Sequence, residues 1–259
     1  ETPMSITLPN VRKLFIPDPG YTIFDGDLAG ADAQVVAYEA EDEELKAAFR
    51  AGLDVHSLNA TTVLGARFSK LSIDDPARYK LRQNSKQIVH GSNYGGSART
   101  IAQIVGWTVH EVEEFQRKWF GAHPGILRWH QRTELALRTK RMVTNAFGYR
   151  RIYFDRVDAL LPQALAWIPQ STVALVCFGG ALAIRRNMPD VRLLVQVHDS
   201  LVGQIPTPLF DSLLPQLRDN LSTPVPYPDD PLVIQWGLKA STKSWGDCKT
   251  VKWPEKMAA

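Results

Sequence analysis

The sequence is poor in cysteine, with only Cys177 and Cys248 in 259 residues. Two cysteines so far apart form neither a disulfide framework nor a paired thiolate metal site, which is typical of a reducing compartment. The sequence also lacks an uninterrupted apolar run near the roughly 20 residues that span a bilayer, and its first residues show no signal-peptide pattern. We therefore expect no membrane partner.

The excess of positive charge is small, because 30 Lys and Arg face 27 Asp and Glu, for a formal charge of +3. Such a balance permits a nucleic-acid partner without arguing for one. Apolar residues make up 44% of the chain and charged residues 22%, which is ordinary for a globular protein with a sizeable core. No internal repeat or low-complexity segment is present, and one large domain or two small ones are expected.

Periodicity and turn residues predict a mixed α/β protein of the α+β type with a small antiparallel sheet. Asp75 is a good N-cap, Pro76 suits a first helical turn, and Gly95-Gly96 is a stop. The predicted helices are 31–40, 43–50, 55–63, 76–93, 98–105, 109–120, 125–140, 159–186 with breaks at Pro162 and Pro169, and 209–221. The predicted strands are 21–24, 193–197, 201–204 and 232–236.

Two aspartates lie at predicted strand ends. Asp27 follows the first strand, with Asp32 five residues further on, and Asp199 lies in the His198-Asp199-Ser200 corner between two apolar strands. A carboxylate held by a sheet is well placed to bind a hard cation such as Mg²⁺. The plainer interpretation is that these residues only form turns and a helix N-cap.

A third group is spaced by four along the helix that Pro76 begins. Each step of four advances about 400° around a helix, so the side chains form one slowly turning stripe. Two cations, an imidazole and a phenol on one face could grip a triphosphate and stack on a base. A solvated charged face is the alternative. The stripe consists of Arg82, Lys86, His90 and Tyr94.

Together, the three groups match the requirements of one reaction, phosphoryl transfer. Phosphoryl transfer needs cations held by carboxylates on rigid elements, and positive groups on the phosphates. Two strand-borne aspartates and a basic helix supply both.

In order and spacing, these residues resemble the three polymerase motifs of the family A DNA polymerases, the bacterial DNA polymerase I and phage replicase group. The first motif is Gly20 to Asp32, continuing through Asp42-Glu43 to Gly52-Leu53-Asp54-Val55-His56. The second is Arg82-Gln83-Asn84-Ser85-Lys86 with His90-Gly91 and Tyr94-Gly95-Gly96-Ser97-Ala98, and the third is Gln196-Val197-His198-Asp199. Supporting segments are Phe147 to Arg151, Pro169 to Thr172, and Pro231 to Ile234 with Gly237 and Trp245.

The resemblance implies a template-directed DNA polymerase that uses two Mg²⁺ ions, or Mn²⁺, with primer–template DNA and dNTPs as partners. Asp27 and Asp199 would bind both metals with help from the Leu28 carbonyl. It implies triphosphate contacts from Arg82, Lys86 and His56, with Lys86 also a general acid for the leaving pyrophosphate.

The remaining roles that the resemblance implies concern the base, the sugar and the DNA. Tyr94 would stack near the templating pair, and His90 would pack on the incoming nucleotide. Asp32 would exclude the ribose 2′-hydroxyl. Contacts to the primer–template would come from His198, Gln170 and Arg151.

Three departures from the family pattern affect these roles. His90 stands where Phe or Tyr is usual, Asp32 where Glu is usual, and Ser200 where a glutamate usually follows the motif aspartate. Analogue selection therefore cannot be carried over, and sugar discrimination is expected to be looser.

The implied architecture is the palm and fingers of a right-hand polymerase, without thumb or exonuclease domain. Residues 1–27 would begin the palm, 28–145 would form the helical fingers, and 146–259 would complete the palm. A fragment, or a split enzyme whose partner chain or upstream region carries thumb and exonuclease, is expected. Its location would be the cytoplasm of a bacterium or of a phage-infected host.

Two alternatives stay open at this point. The first alternative is a single-subunit RNA polymerase, which has the same arrangement of metal-binding residues in its palm. In that case Asp25 would be the metal ligand and Gly30 would lie at the position that selects the sugar. The second alternative is a DNA-binding subunit that has the polymerase fold but does not catalyse nucleotide addition.

Overall fold

The structure is a computed structural model that describes residues 9–155 and 159–254. Over these ranges the chain forms seven β-strands and ten α-helices with short 3-10 turns between them. The strands are β1 (Tyr21–Leu28), β2 (Met142–Thr144), β3 (Arg150–Ile152), β4 (Arg192–Val197), β5 (Ser200–Pro206), β6 (Trp236–Ser241) and β7 (Lys249–Val251). The helices are α1 (Ala31–Glu39), α2 (Glu43–Arg50), α3 (Val55–Leu64), α4 (Ala66–Ser69), α5 (Pro76–Asn93), α6 (Ala98–Val105), α7 (Val109–Ala122), α8 (Pro124–Lys140), α9 (Leu161–Asn187) and α10 (Phe210–Leu221).

The chain divides into two compact units. The sheet unit comprises the chain up to Ala29, Val173–Val225 and the chain from Val233, and the helical unit comprises Gly30–Thr172 and Pro226–Leu232. The domain bounds 1–27, 28–145 and 146–259 stay predictions, and parts of the first and last lie outside the described residues.

The sheet unit is built on one antiparallel sheet in the order β4-β5-β1-β6-β7. The central strand β1 pairs with β5 on one side and β6 on the other. This double pairing satisfies its backbone groups, so a strand rich in aspartate and glycine at its end still persists to Leu28. Ile23, Val202 and Trp245 form a small buried cluster on this sheet.

A close approach fixes the register of the central strands. A Cβ added to Gly203 of β5 would lie 2.6 Å from the ring of Phe24, the residue opposite it on β1. The aromatic ring therefore occupies space that only glycine leaves open.

The helical unit packs α1–α3, α5–α8, the first part of α9 and the β2–β3 hairpin around one apolar core that includes Phe115, Trp119 and Trp129. Five of its helices begin at a side chain that accepts a backbone N–H of the first turn. The N-caps that do so are Asp42, Asp54, Asp75, Ser97 and Thr108.

Helix α4 and strands β2, β3 and β7 have no counterpart among the predictions. Three predicted elements differ from the structure by more than two residues or in continuity. β1 runs to Leu28 instead of ending at Phe24, because both neighbours pair with it. The last predicted strand begins at Trp236 instead of Leu232, because the ladder starts only where Leu28 can pair with Trp236. The predicted breaks in α9 are wrong, since Pro162 lies in its first turn and Pro169 lies inside a continuous helix.

Helix α9 is the one helix of the described residues that is long and apolar enough to cross a membrane by length and composition. It has 27 residues, and 44% of its most apolar window is buried within the protein. A core helix of a soluble protein passes the same test. Polar residues such as Gln163 and Gln170 interrupt its apolar run, which is why the sequence predicts no membrane segment.

Candidate active site

The two predicted metal aspartates meet at one end of the sheet unit. Asp27 lies on β1 opposite Ser200, the first residue of β5, and Asp199 precedes Ser200 in the β4–β5 turn. The Leu28 N–H donates to the Asp199 carbonyl oxygen over 3.0 Å, which ties the turn to the strand. Both carboxylates are therefore carried by backbone that the sheet holds in place.

The turn that carries Asp199 is tight and strained. Val197 pairs with Ser200, so His198 and Asp199 alone connect β4 to β5. His198 has a φ of +52°, a left-handed conformation that costs an ordinary residue roughly 1–2 kcal/mol. The Gln196 side-chain amide donates to the His198 carbonyl at 2.6 Å and braces it.

The electrostatics of this corner are strongly negative. Partial enclosure raises the pKa of Asp27, and the charges of Asp199 and Asp25 raise it further, against smaller opposing effects of Lys239 and Arg12. Burial, followed by the same Asp199 and Asp27 charges, raises the pKa of the Cys177 thiol to about 12. A cation at this corner would relieve the repulsion.

The donor set suits a hard divalent cation that keeps open positions. Within the described residues no group of three or more His, Cys, Asp or Glu side chains converges on one metal position. Two carboxylates, a carbonyl, water and substrate phosphates are a set that Mg²⁺ commonly takes. Asp27 is exposed and Asp199 is half-buried, so both can be reached by such a ligand set.

The Asp25 side chain is much less accessible than those of Asp27 and Asp199. Its side chain is 7% exposed, and the Trp245 indole N–H donates to its Oδ2 at 2.7 Å. The RNA polymerase alternative needs Asp25 as the primary metal ligand, and a buried carboxylate already bound to an indole is poorly suited to that role. The more accessible Asp27 suits it better.

The second set of predicted residues lies in the helical unit on α5 and its neighbours. Lys86 and His90 are exposed, Arg82 and Tyr94 are half-buried, and the His90 and Tyr94 rings make an edge contact with centroids 4.5 Å apart. Partial desolvation by its neighbours lowers the pKa of His90; the Asp32 charge opposes this effect, and the Lys86 charge adds to it. The stripe predicted from spacing is present as one face of the helix.

Arg82 is already engaged by a carboxylate. Its Nε and Nη2 donate to the two Asp54 oxygens at 2.9 and 2.7 Å, a bidentate ion pair. The same Asp54 caps α3 through the Ser57 N–H. Hydrogen bonds from Arg82 hold the pKa of Asp54 well below its usual range.

His56 lies beside this pair as a neutral imidazole. Burial, followed by the charges of Lys86 and Arg82, lowers its pKa to about 4. Its Nδ1 is buried with no hydrogen-bond partner among the described residues. An unpartnered ring nitrogen next to two cations is what a site for an anionic ligand would provide.

Asp32 and Tyr94, the predicted sugar gate and stacking residue, contact each other directly. The Tyr94 hydroxyl donates to Asp32 Oδ2 at 2.9 Å, linking the first turn of α1 to the end of α5. Burial and the Asp32 carboxylate both raise the pKa of Tyr94 above its usual range. The positions of the Asp32 and Tyr94 side chains are therefore coupled through this hydrogen bond.

The predicted primer–template residues are spread out. Gln170 is exposed on α9, Arg151 is exposed on β3 with its guanidinium 4.9 Å from the Tyr153 ring centroid, and His198 is exposed in the β4–β5 turn. Asn145 links the hairpin to α9, because its side-chain amide donates to the Ser171 hydroxyl at 2.9 Å.

No role for Asp54, Asn145 or Trp245 is predicted from the sequence. Asp54 was visible in the motif that contains His56, but its pairing with Arg82 is a tertiary contact across 28 residues. Asn145 and Trp245 carry polar atoms that bond across the fold and leave no local pattern.

Comparison with known proteins assigns the family. The profile of DNA polymerase family A matches residues 4–245. DNA polymerase I of Pseudomonas aeruginosa is 28% identical over 88% of this chain, and the thermostable DNA polymerase I of Thermus filiformis is 30% identical over 88%. The DNA polymerase of Mycobacterium phage D29 is 27% identical over 76%. The chain spans 25%, 28% and 31% of the length of these relatives.

The fold is also similar to that of a solved structure. The polymerase domain of Pol1 from M. smegmatis, solved with DNA primer-template and dNTP, matches with a TM-score of 0.75 at 23% identity, over 92% of this chain and 42% of that one. The predicted mixture of helices with a small antiparallel polymerase sheet is confirmed by this likeness. Since the profile covers almost the whole sequence, the chain belongs to the family A DNA polymerases.

Proposed function

We propose that this chain carries the nucleotidyl-transfer centre of a template-directed DNA polymerase that adds deoxynucleotides to a primer 3′-hydroxyl. The observation that carries the proposal is the tie between Leu28 and Asp199, which holds two carboxylate-bearing segments together at the end of the sheet. Family membership supports the same reaction. Because the relatives are three to four times longer, the full activity is expected when an upstream region or partner chain supplies thumb and exonuclease.

Asp27 and Asp199, with the Leu28 carbonyl, would hold two Mg²⁺ or Mn²⁺ ions. When bound, the ions supply activation of the 3′-hydroxyl and neutralisation of phosphate charge. The transfer would form a bond between the primer O3′ and the α-phosphorus, break the bond from that phosphorus to pyrophosphate, and release the 3′-hydroxyl proton to solvent. The sheet contributes rigid placement of the two carboxylates, which is the main task of the protein in phosphoryl transfer.

The α5 residues would bind the triphosphate. Lys86, exposed and without an ion pair among the described residues, is free to contact a phosphate and to give its proton to the leaving pyrophosphate. Arg82 would share or leave Asp54 to reach the phosphates, and neutral His56 would donate from its ring N–H. The positive charges of Lys86 and Arg82 are opposite in sign to the charge of the triphosphate, which favours binding.

The remaining roles concern selection. Tyr94 would stack near the templating pair, His90 would pack on the incoming nucleotide, and Asp32 would restrict the sugar 2′ position. His198, Gln170 and Arg151 would contact primer–template DNA. The Tyr94–Asp32 hydrogen bond supports a joint role, because moving one of these side chains disturbs the other.

Primer extension tests the proposal. The chain, joined to its upstream region, is assayed with a labelled primer–template and dNTPs as wild type, Asp199→Ala and, as a matched control, Asp190→Ala at an exposed turn of the same unit. We expect extension by wild type and control and a loss of at least about 100-fold in Asp199→Ala. Equal extension by all three would reject the proposal.

The same assay separates the alternatives. Preferred incorporation of ribonucleotides would favour an RNA polymerase. A chain that binds primer–template DNA but fails to extend it under any metal condition would favour a non-catalytic subunit. We expect the enzyme to act in the cytoplasm of a bacterium or an infected host.

A further inference from the structure

Asp25 is a buried carboxylate next to the proposed metal site. It lies on the central strand β1 two residues before Asp27. Side chains alternate along a strand, so residues two apart point to the same face of the sheet. Asp25 and Asp27 therefore share a face, with about 7 Å of strand between them.

The surroundings of Asp25 leave its charge incompletely compensated. Trp245 donates to Oδ2, but Oδ1 is buried and has no hydrogen-bond partner among the described residues. Lys239 is paired with Asp25 on β6, yet the described residues show no ion pair between them. A buried carboxylate with one unpartnered oxygen destabilises the folded protein unless a positive charge nearby compensates it.

The partner strand supplies no carboxylate opposite Asp27. Ser200 of β5 lies directly opposite Asp27 and is 7% exposed. On the face that carries Asp27, the paired strands β1 and β5 therefore take their acidic groups from β1 alone.

We infer that Asp25 is a positioning residue for the cations proposed at Asp27 and Asp199: its buried negative charge raises their affinity without direct coordination. This inference rests on the proposed function. Direct coordination is disfavoured by the Trp245 hydrogen bond and by the lack of a three-ligand cluster among the described residues. If the separation is taken as the strand spacing of about 7 Å between Asp25 and Asp27, a unit charge changes the affinity for a divalent ion on the order of fivefold at low salt.

Mn²⁺ binding, followed by the loss of the free-ion electron paramagnetic resonance signal, tests the inference without relying on activity. The full chain is titrated at low ionic strength as wild type, Asp25→Asn, Asp27→Asn and Asp190→Asn. We expect Asp25→Asn to raise the Mn²⁺ Kd about fivefold with the number of sites unchanged. Asp27→Asn should abolish the site, and Asp190→Asn, which removes the same charge from an exposed turn, should match wild type.

A second variant distinguishes a through-space charge from a structural effect. Trp245→Phe keeps the Asp25 carboxylate while removing the hydrogen bond to it, and its Kd should stay within about twofold of wild type. A loss of Mn²⁺ affinity in Trp245→Phe as large as that in Asp25→Asn would overturn the mechanism.

The outcomes for the two proposals are distinguishable. If Asp25→Asn binds Mn²⁺ as tightly as wild type, the inference about Asp25 is overturned and the metal site stands. If wild type binds no Mn²⁺ in a manner that depends on Asp27, the proposed function itself fails. Asp25→Thr, whose β-branched side chain suits a strand, provides the same neutralisation if the Asn variant does not fold.

Discussion

The backbone N–H of Leu28 donates a hydrogen bond to the carbonyl oxygen of Asp199 at 3.0 Å. This contact joins the end of β1 to the turn between β4 and β5, and so joins two sequence motifs that are far apart in the chain. Because the bond is between backbone atoms, substitution of either aspartate should leave it in place. Variants at Asp27 and Asp199 therefore report on the carboxylates and leave the fold largely unchanged.

The strained turn gives a prediction about stability. His198 adopts a φ of +52°, where a β-branched residue is disfavoured and glycine is not. We expect His198→Val to lower the free energy of unfolding by about 1–2 kcal/mol and His198→Gly to leave it within about 0.5 kcal/mol of wild type. Urea unfolding measures both, and equal loss in the two variants would contradict the assigned turn geometry.

The Arg82–Asp54 pair gives a prediction about nucleotide affinity. Asp54 competes with a triphosphate for the same guanidinium, so Asp54→Asn should tighten dNTP binding several-fold, while Arg82→Ala should weaken it at least about tenfold. Asparagine still caps α3, and the pair is partly exposed, so stability should change little. Titration calorimetry with dNTP decides this, and weaker binding in Asp54→Asn would show that the pair positions Arg82 instead of restraining it.

His56 gives a prediction about pH. Its pKa in the folded protein is lowered to about 4, below the roughly 6.5 of an unfolded chain, so the unfolded state binds the proton first. The stabilisation by neutral His56 is therefore present above pH 6.5 and lost as the pH falls from 6.5 towards 4. We expect His56 to lower the free energy of unfolding by on the order of 2 kcal/mol over this pH range. His56→Gln should remove this part of the pH dependence. Urea midpoints between pH 4 and 7 test it, and an unchanged slope in the variant would assign the effect to other groups.

The Tyr94–Asp32 hydrogen bond gives a prediction about sugar selection. Asp32→Ala removes both the carboxylate and the acceptor for the Tyr94 hydroxyl, so ribonucleotide incorporation should rise at least about tenfold relative to deoxynucleotides. Asp32→Glu, one methylene longer, should lower it. The ratio of kcat/KM for dCTP and CTP measures the effect. If the dCTP-to-CTP ratio of kcat/KM is the same in wild type and in both variants, Asp32 does not select the sugar.

The close contact of Gly203 with Phe24 gives a prediction about the sheet. Gly203→Ala places a methyl group 2.6 Å from the Phe24 ring and should destabilise the protein by about 1–3 kcal/mol. Adding Phe24→Leu makes room and should recover part of the loss. Thermal unfolding of the two single variants and the double variant tests this, and purely additive losses would show that the two residues do not compete for space.

The sequence predicts best where local chemistry decides the structure. Asp75 with Pro76 marks the start of α5, and apolar runs on both sides of His198 and Asp199 predict the β4–β5 hairpin, as observed. The family and the mixed α+β fold follow from motifs of this kind and are confirmed.

What the sequence leaves open depends on distant partners. β1 extends through Asp25 and Asp27 only because β5 and β6 supply hydrogen bonds on both sides. The Arg82–Asp54 pair and the Trp245–Asp25 bond join residues whose proximity no local pattern reveals. The roles of the predicted site residues stay predictions that only experiments on this protein can test.

Anomalous diffraction from crystals grown with Mn²⁺, primer–template DNA and a non-hydrolysable dNTP analogue tests the two-metal proposal most directly. We predict two manganese peaks about 3.5–4 Å apart, both within coordination distance of the Asp27 and Asp199 carboxylates. Nucleotide bound in the crystal with no manganese peak at Asp27 would contradict the proposal.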